Sequence, residues 1–115
     1  MTHEMRLNQG PFDQVRAGSK TVELRLNDEK RKLLHVGDEI EFLERDTAQR
    51  FRVRITALQH APTFVDLLSG AVSSTAAGFD PVWTPQQVSD WLRRFYSIEE
   101  EKANGVVGIE MKVIA

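Results

Sequence analysis

The chain has no cysteine among its 115 residues. That excludes a disulfide framework, a thiol nucleophile and any thiolate metal site. Histidine is scarce too. His3, His35 and His60 lie far apart, and neither H-E-x-x-H nor H-x-H spacing occurs, so no metal site is expected. The glycines are scattered and form neither a Walker A loop nor G-x-G-x-x-G, and no cofactor is expected. No serine stands in a G-x-S-x-G elbow, the signature of one hydrolase class. Long apolar runs are missing: Leu67-Leu68 sits among polar residues, and Val106-Val107 is followed by Gly108. A membrane helix needs about 20 apolar residues, so no membrane contact is expected. Met1 to Gly10 is polar and lacks the apolar core of a secretion signal, which makes the cytoplasm the expected location. A large net charge is also absent. The formal value is -2, which removes the simplest sign of nucleic-acid binding, a strongly basic chain.

What is present is the composition of a folded globular protein, 41% hydrophobic and 28% charged, which argues against disorder, collagen and coiled coil. The length suits one domain, residues 1–115. The charge is segregated. Arg16 to His35 holds Arg16, Lys20, Arg25, Lys30, Arg31 and Lys32 against Glu23, Asp28 and Glu29. Arg50, Arg52 and Arg54 form a second basic segment, and between the two lie Asp38, Glu39, Glu41, Glu44 and Asp46 with only Arg45 opposing them. A fold that joins the basic segments would give an acidic chain a basic stripe.

Periodicity and capping residues predict the elements. His3 to Leu7 reads as a strand. A helix begins at Gly10-Pro11, where proline's missing N–H costs nothing, and stops at Gly18. Thr21 to Leu26 alternates as a half-buried strand, with Val22, Leu24 and Leu26 inward and Thr21, Glu23 and Arg25 on a charged outer face. Asn27 to Leu34 reads as a loop or one helical turn. Glu39 to Leu43 and Arg50 to Leu58 form a hairpin, with Phe51, Val53, Ile55 and Ala57 inward. Pro62 opens a short helix with Phe64, Leu67 and Leu68 on one face, and Ala71 to Phe79 is irregular. Thr84, Pro85 and Gln87 start a helix predicted to reach Tyr96, with Val88, Trp91, Leu92 and Phe95 as its core stripe. Ser97 and Glu100 make a second capping box, with Glu99 and Glu101 favoured in the first turn by the helix dipole. Val106 to Ile114 closes the chain as a strand with Ile109, Met111 and Val113 inward. The order β-α-β-β-β-α-α-β favours an α+β domain with a strongly bent mixed sheet or small barrel of about five strands.

Chemistry concentrates in Gly18-Ser19-Lys20-Thr21-Val22-Glu23-Leu24-Arg25. Lys20 stands where a helix passes into a strand, and Glu23 and Arg25 share one strand face. Lysine and arginine suit phosphate, while glutamate can accept from a base amino group or orient a cation. The plainer reading is a solvated strand face on which a Glu–Arg pair contributes little.

Gly18, Lys20, Glu23 and Arg25 resemble the G-x-K-x-x-E-x-R motif of the ASCH domain family, and the motif lies where that family has it, between the first helix and the second strand. Val36-Gly37-Asp38 resembles the family's turn into its next strand. Gly105-Val106-Val107-Gly108-Ile109-Glu110 resembles the closing strand of small bacterial members. The resemblance implies a PUA-like β-barrel flanked by helices, a cleft lined by the motif, and work on RNA. Some small bacterial relatives are similar to amidohydrolases that deacetylate N4-acetylcytidine with a lysine, a threonine and a glutamate. Lys20 matches the lysine, Glu23 stands in place of the threonine, and the glutamate has no clear counterpart near Asp80.

Lys20, Glu23 and Arg25 are thus candidates for contact with RNA, a nucleotide or a nucleoside. Lys20 and Glu23 are also the catalytic candidates if the protein is an enzyme, of amidohydrolase or single-strand-specific ribonuclease type. Lys30, Arg31 and Lys32, and Arg52 within the Arg50 to Arg54 row, are candidate phosphate contacts. Trp83 and Tyr96 are candidates for base stacking, whereas Trp91 and Phe95 read as core. His35 and His60 have no visible partner. A third function class is a protein-interaction module whose acidic stretch, Asp38 to Asp46, meets a basic partner. No specific protein partner is indicated.

Overall fold

The computed structural model describes all residues, Met1–Ala115. Five strands, β1 (Thr2–Leu7), β2 (Val22–Leu26), β3 (Glu39–Glu44), β4 (Arg50–Ala61) and β5 (Val106–Val113), form one sheet in the order β1-β3-β4-β5-β2. Only β1 and β3 run parallel, while the other neighbours are antiparallel. The sheet is a curled mixed half-barrel, so the α+β expectation holds. Its helices are α1 (Gln9–Ala17), α2 (Phe64–Leu68), α3 (Pro85–Leu92) and α4 (Ile98–Asn104). Three helices lie between β4 and β5, where the predicted order of elements counted two. None is long and apolar enough to cross a membrane.

The two edge strands, β1 and β2, are joined by α1, and no backbone ladder pairs them. Exposed edges invite further pairing. Here a side chain spans the gap, as Arg25 Nη2 donates to the Arg6 carbonyl at 3.2 Å. The barrel therefore has an open seam between β1 and β2.

Local signals explain most boundaries. Gly18 ends α1 at φ 84°, a conformation glycine adopts without steric cost. The Thr84 and Ser97 capping boxes both form. The helix expected to reach Tyr96 stops at Leu92, because Ser97 must take extended backbone to cap the next helix. Residues Arg93 to Tyr96 therefore turn tightly, with the N–H groups of Phe95 and Tyr96 both donating to the Leu92 carbonyl. This corrects the core assignment. Val88 and Leu92 are buried, Trp91 is half-buried, and Phe95 is 52% exposed. Val113, expected inward, is exposed at the sheet's end. Ala57 is only half-buried, next to an irregularity in the β4–β5 register between Ile55 and Ala57.

The core divides in two. One cluster, around Phe12, Phe42, Phe51 and Ile55, joins α1 to one face of β1, β3, β4 and β5, with Val107, Ile109 and Met111 from the last. The other, around Phe64, Leu67, Val88 and Val106, joins α2 and α3 to β2 and β5. Glu101, which sequence placed on a helix's first turn, is buried at the second cluster. It accepts the Phe64 N–H at 2.8 Å and pairs with Arg93 at 2.7 Å, tying α4 to α2.

Candidate site in the open seam

Lys20 is held from three directions. Its own N–H and that of Ser19 donate to the Gln14 carbonyl at the end of α1. The N–H groups of Thr21 and Val22 both donate to the Ala76 carbonyl. Gln14 Nε2 reaches across to the Gly78 carbonyl at 3.2 Å. Gly78 has φ 90°, and a Cβ there would lie 3.0 Å from both the Lys20 Cδ and the Gln14 Oε1. The irregular 71–79 segment therefore presses its glycine onto the lysine stem, and no other residue fits there without displacing Lys20 or Gln14.

β2 then departs from the half-solvated strand expected of its alternation. Glu23 is 4% exposed and the Arg25 side chain 14%, because they pair with Ile109 and Val107 of β5 and so lie on the sheet face of the first core cluster, whereas Val22, Leu24 and Leu26 face the second. Lys20 Nζ lies 2.8 Å from Glu23 Oε1, and Arg25 Nε donates to Glu23 Oε2 at 2.8 Å. Both carboxylate oxygens thus hold a cation. Burial alone would raise the Glu23 pKa, but the charges and hydrogen bonds of Lys20 and Arg25 outweigh it and hold the value at about 2. Burial would lower the Arg25 pKa, and the Glu23 carboxylate reverses that and raises it. The unit is a fixed cation–anion–cation row with net positive charge.

Opposite this row stands an aromatic wall. Trp83 packs on Phe79 at 5.7 Å between centroids, Phe79 on Trp91 at 5.5 Å, Trp91 on Phe95 at 5.2 Å, and Phe95 on Tyr96 at 6.4 Å. Tyr96 is anchored by stacking on Phe64 at 5.6 Å. Burial raises the Tyr96 pKa, with Arg25 opposing, so the phenol keeps its proton. Row and wall line one cleft of about 560 Å³, within the ordinary range for small-ligand sites. Arg6, Arg45 and Asp80 complete its charged lining.

The structure thus brings together Lys20, Glu23, Arg25, Trp83 and Tyr96. Trp91 and Phe95, read from sequence as core, join them. Periodicity hid this, because a helix stripe that runs past its helix end looks the same as one that does not. Arg6, Arg45 and Asp80 carried no local signal at all. Lys30 and Arg31 lie next to the cleft, in a smaller recess with Arg6, Arg25 and Arg45. Lys32 is exposed beyond it.

Arg52 is not brought to the cleft. It lies on the outer face of β4, 3.6 Å from Glu39 and 3.5 Å from Glu41. Arg50 pairs with Glu41 and Arg54 with Glu39. The second basic segment is matched across the hairpin by Glu39 and Glu41 of the acidic stretch. Other acids of that stretch are also engaged. Asp38 pairs with the N-terminal amine and with His3, and Glu44 is buried and accepts the Asp46 N–H. The His3 hydrogen bond leads the interactions that hold the Asp38 pKa at about 2.

Three comparisons bear on this geometry. The sequence model described as "ASCH domain" matches residues 5–115. A search of curated proteins returns no match in sequence. Among solved structures, a hypothetical protein known from a crystal is similar at 30% identity with a TM-score of 0.82, over 99% of this chain and 100% of the other. A protein of Pyrococcus furiosus, known from a solution NMR structure, is similar at 29% identity and TM-score 0.74, over 99% of this chain and 98% of the other. The crystal structure of ASCH from Zymomonas mobilis is similar at 15% identity and TM-score 0.67, over 96% of this chain and 66% of the other; that likeness concerns the fold alone.

Proposed function

The chain belongs to the ASCH domain family, and on that premise we propose that residues 1–115 act as one domain whose seam cleft binds single-stranded RNA or a nucleotide. The observation that carries the reading is the juxtaposition of five aromatic rings and a buried Lys20–Glu23–Arg25 row in one cleft. A base stacked on an aromatic ring gains about 1–3 kcal/mol with little regard to sequence. The row supplies what the wall cannot: donors for phosphate or carbonyl oxygens from Lys20 and Arg25. Tyr96 contributes a stacking face and a neutral hydroxyl. Lys30, Arg31 and Lys32 lie where a phosphate backbone leaving the cleft would pass. Arg52 has no part in this reading, because its neighbours are carboxylates. An RNA ligand accords with a cytoplasmic location.

The enzyme alternative uses the same cleft, either on an N4-acetylcytidine-type amide or on single-stranded RNA. Its acid–base chemistry needs a group poised near neutral pH. Glu23 is far from that, with a pKa of about 2 and both oxygens occupied. Lys20 could still polarise a carbonyl oxygen as a point charge, and Asp80 is the other carboxylate on the cleft. These features support binding over turnover.

The test pairs the wild type with Lys20→Ala, each checked for fold by circular dichroism. Both are titrated with single-stranded RNA and assayed on N4-acetylcytidine and on RNA cleavage. Binding without turnover, weakened at least tenfold in folded Lys20→Ala, is the expected result. Wild-type turnover that disappears in folded Lys20→Ala would replace the binding reading with the enzyme one. Absence of binding even at low salt would sink the RNA reading.

A further inference from the structure

Beside the aromatic cleft lies a second recess of about 200 Å³, and its lining is almost wholly cationic. Arg6 comes from β1, Arg25 from β2, Lys30 and Arg31 from the loop after β2, and Arg45 from the end of β3. One carboxylate, Glu4, opposes these five cations. For a chain of net charge -2 this is a concentration of one sign, within which Glu23 pairs with Arg25 and Asp28 with Arg31. Elsewhere the arginines are compensated. Arg50, Arg52, Arg54 and Arg93 face carboxylates, and Arg16 and Arg94 lie over aromatic rings. Arg6, Lys30 and Arg45 make no ion pair.

The recess is also built rather than incidental. The Arg45 N–H donates to the Leu7 carbonyl at 3.0 Å, which sets the start of the β3–β4 turn against β1. Asp28 accepts from the Arg31 backbone N–H at 3.0 Å and lies 3.4 Å from its Nη1, which fixes that guanidinium. The Arg31 Nε is buried and has no hydrogen-bond partner. An orphaned guanidinium nitrogen beside three cations that make no ion pair is a donor without an acceptor. Arg6, Arg25 and Arg45 also line the aromatic cleft, so the two cavities share one wall.

We infer that this recess is a phosphate subsite, and that the cleft's ligand is therefore a phosphorylated nucleotide or a phosphodiester-linked chain rather than a free nucleoside. The inference rests on the reading of the cleft as a base site and adds the polarity of the ligand. The base lies against the aromatic wall, Arg25 stands at the boundary, and the phosphate points toward Lys30 and Arg31. Guanidinium groups suit this role because their forked donors match phosphate oxygens in pairs.

Quenching of Trp83 and Trp91 reports occupation of the cleft. The affinities of the four common ribonucleosides, their 5′-monophosphates and the corresponding dinucleoside monophosphates are compared by this signal. Inorganic phosphate alone is titrated separately, followed by the amide and guanidinium NMR signals of Arg31 and Arg45. Phosphorylated ligands are expected to bind at least tenfold more tightly than nucleosides. That ratio should fall toward one in Lys30→Gln and in Arg31→Gln, two separate variants, so that misfolding of either leaves the other as a test. A gain in the monophosphates alone identifies a terminal phosphate as the ligand, and a gain in the dinucleoside monophosphates identifies the backbone. Equal affinity for nucleosides and their phosphates would overturn the subsite while leaving the base-binding reading intact. Inorganic phosphate shifting Arg31 and Arg45, with no nucleoside or RNA bound, would keep the subsite and overturn the base reading.

Discussion

β2 and β4 share one pattern, Val22-Glu23-Leu24-Arg25-Leu26 in the first and Phe51-Arg52-Val53-Arg54-Ile55 in the second. In both, the apolar residues are buried, but those of β4 join the first core cluster and those of β2 the second, on the other side of the sheet. The charged faces diverge. The β4 arginines stay exposed and meet Glu39 and Glu41 on the neighbouring strand. The β2 charges lie on the sheet face of Ile109 and Val107, the side that carries the β4 apolar residues, and there Glu23 pairs with Lys20 and Arg25. Alternation therefore separates an apolar from a charged face and does not say which of them lies on a given side of the sheet. That is decided by which strands and helices pack on each side. In this protein the inversion at β2 brings a charged row to the side where the other strands are apolar, at the edge of a ligand-sized cleft.

The sharpest way to break the comparison is to remove the central acid of each face. Glu23→Ala leaves Lys20 and Arg25 buried without a counter-charge and should cost about 3–5 kcal/mol in chemical denaturation. Glu41→Ala on the exposed face should cost under about 1 kcal/mol. Similar losses would mean that the two faces are solvated alike.

Acid should separate the faces next. Glu23 ionises at about 2 in the folded chain against an ordinary 4.5. Its contribution is therefore complete above about pH 5 and is lost as pH falls toward 2, an effect of about 3 kcal/mol. Asp38 also has a pKa of about 2 and loses its contribution over the same range. Denaturation curves from pH 7 to pH 2 should show the steeper loss in the wild type, with Glu23→Gln keeping only the remainder. Parallel curves for the two proteins would deny Glu23 its role.

Within the α3 region, Leu92→Ala should cost about 2–5 kcal/mol of stability as an emptied core site. Trp91→Ala should instead show mainly in ligand affinity, by about 1–3 kcal/mol. The reverse assignment would restore Trp91 to the core. The smallest effect expected is in salt dependence. Neutralising Lys30, Arg31 and Lys32 together should flatten the slope of log affinity against log salt by about 0.7 for each phosphate that the variant no longer neutralises. The same treatment of Arg50, Arg52 and Arg54 should leave the slope unchanged.

Much of this was legible in the sequence. The two capping boxes, the Gly18 stop and the β3–β4 hairpin all follow from short-range chemistry, and all appear in the fold. What was not legible depends on long-range contacts. The burial of Glu23 comes from the pairing of β2 with β5, far along the chain, which sets it on the sheet face of Ile109. Glu101 reads as a helix-dipole residue until Phe64 and Arg93 meet it. Arg6 and Arg45 belong to no motif, and only the parallel pairing of β1 with β3 places them side by side.

The central claim is that function lies in the open seam and not on the outer face of the β3–β4 hairpin. It is tested most directly by titrating isotope-labelled protein with a short single-stranded RNA and following the backbone amide and indole NMR signals. The account predicts movement of the Trp83 and Trp91 indoles and of the amides from Lys20 to Arg25, with Arg50 to Arg54 still. Movement confined to Arg50 through Arg54, or no movement at low salt, would contradict it.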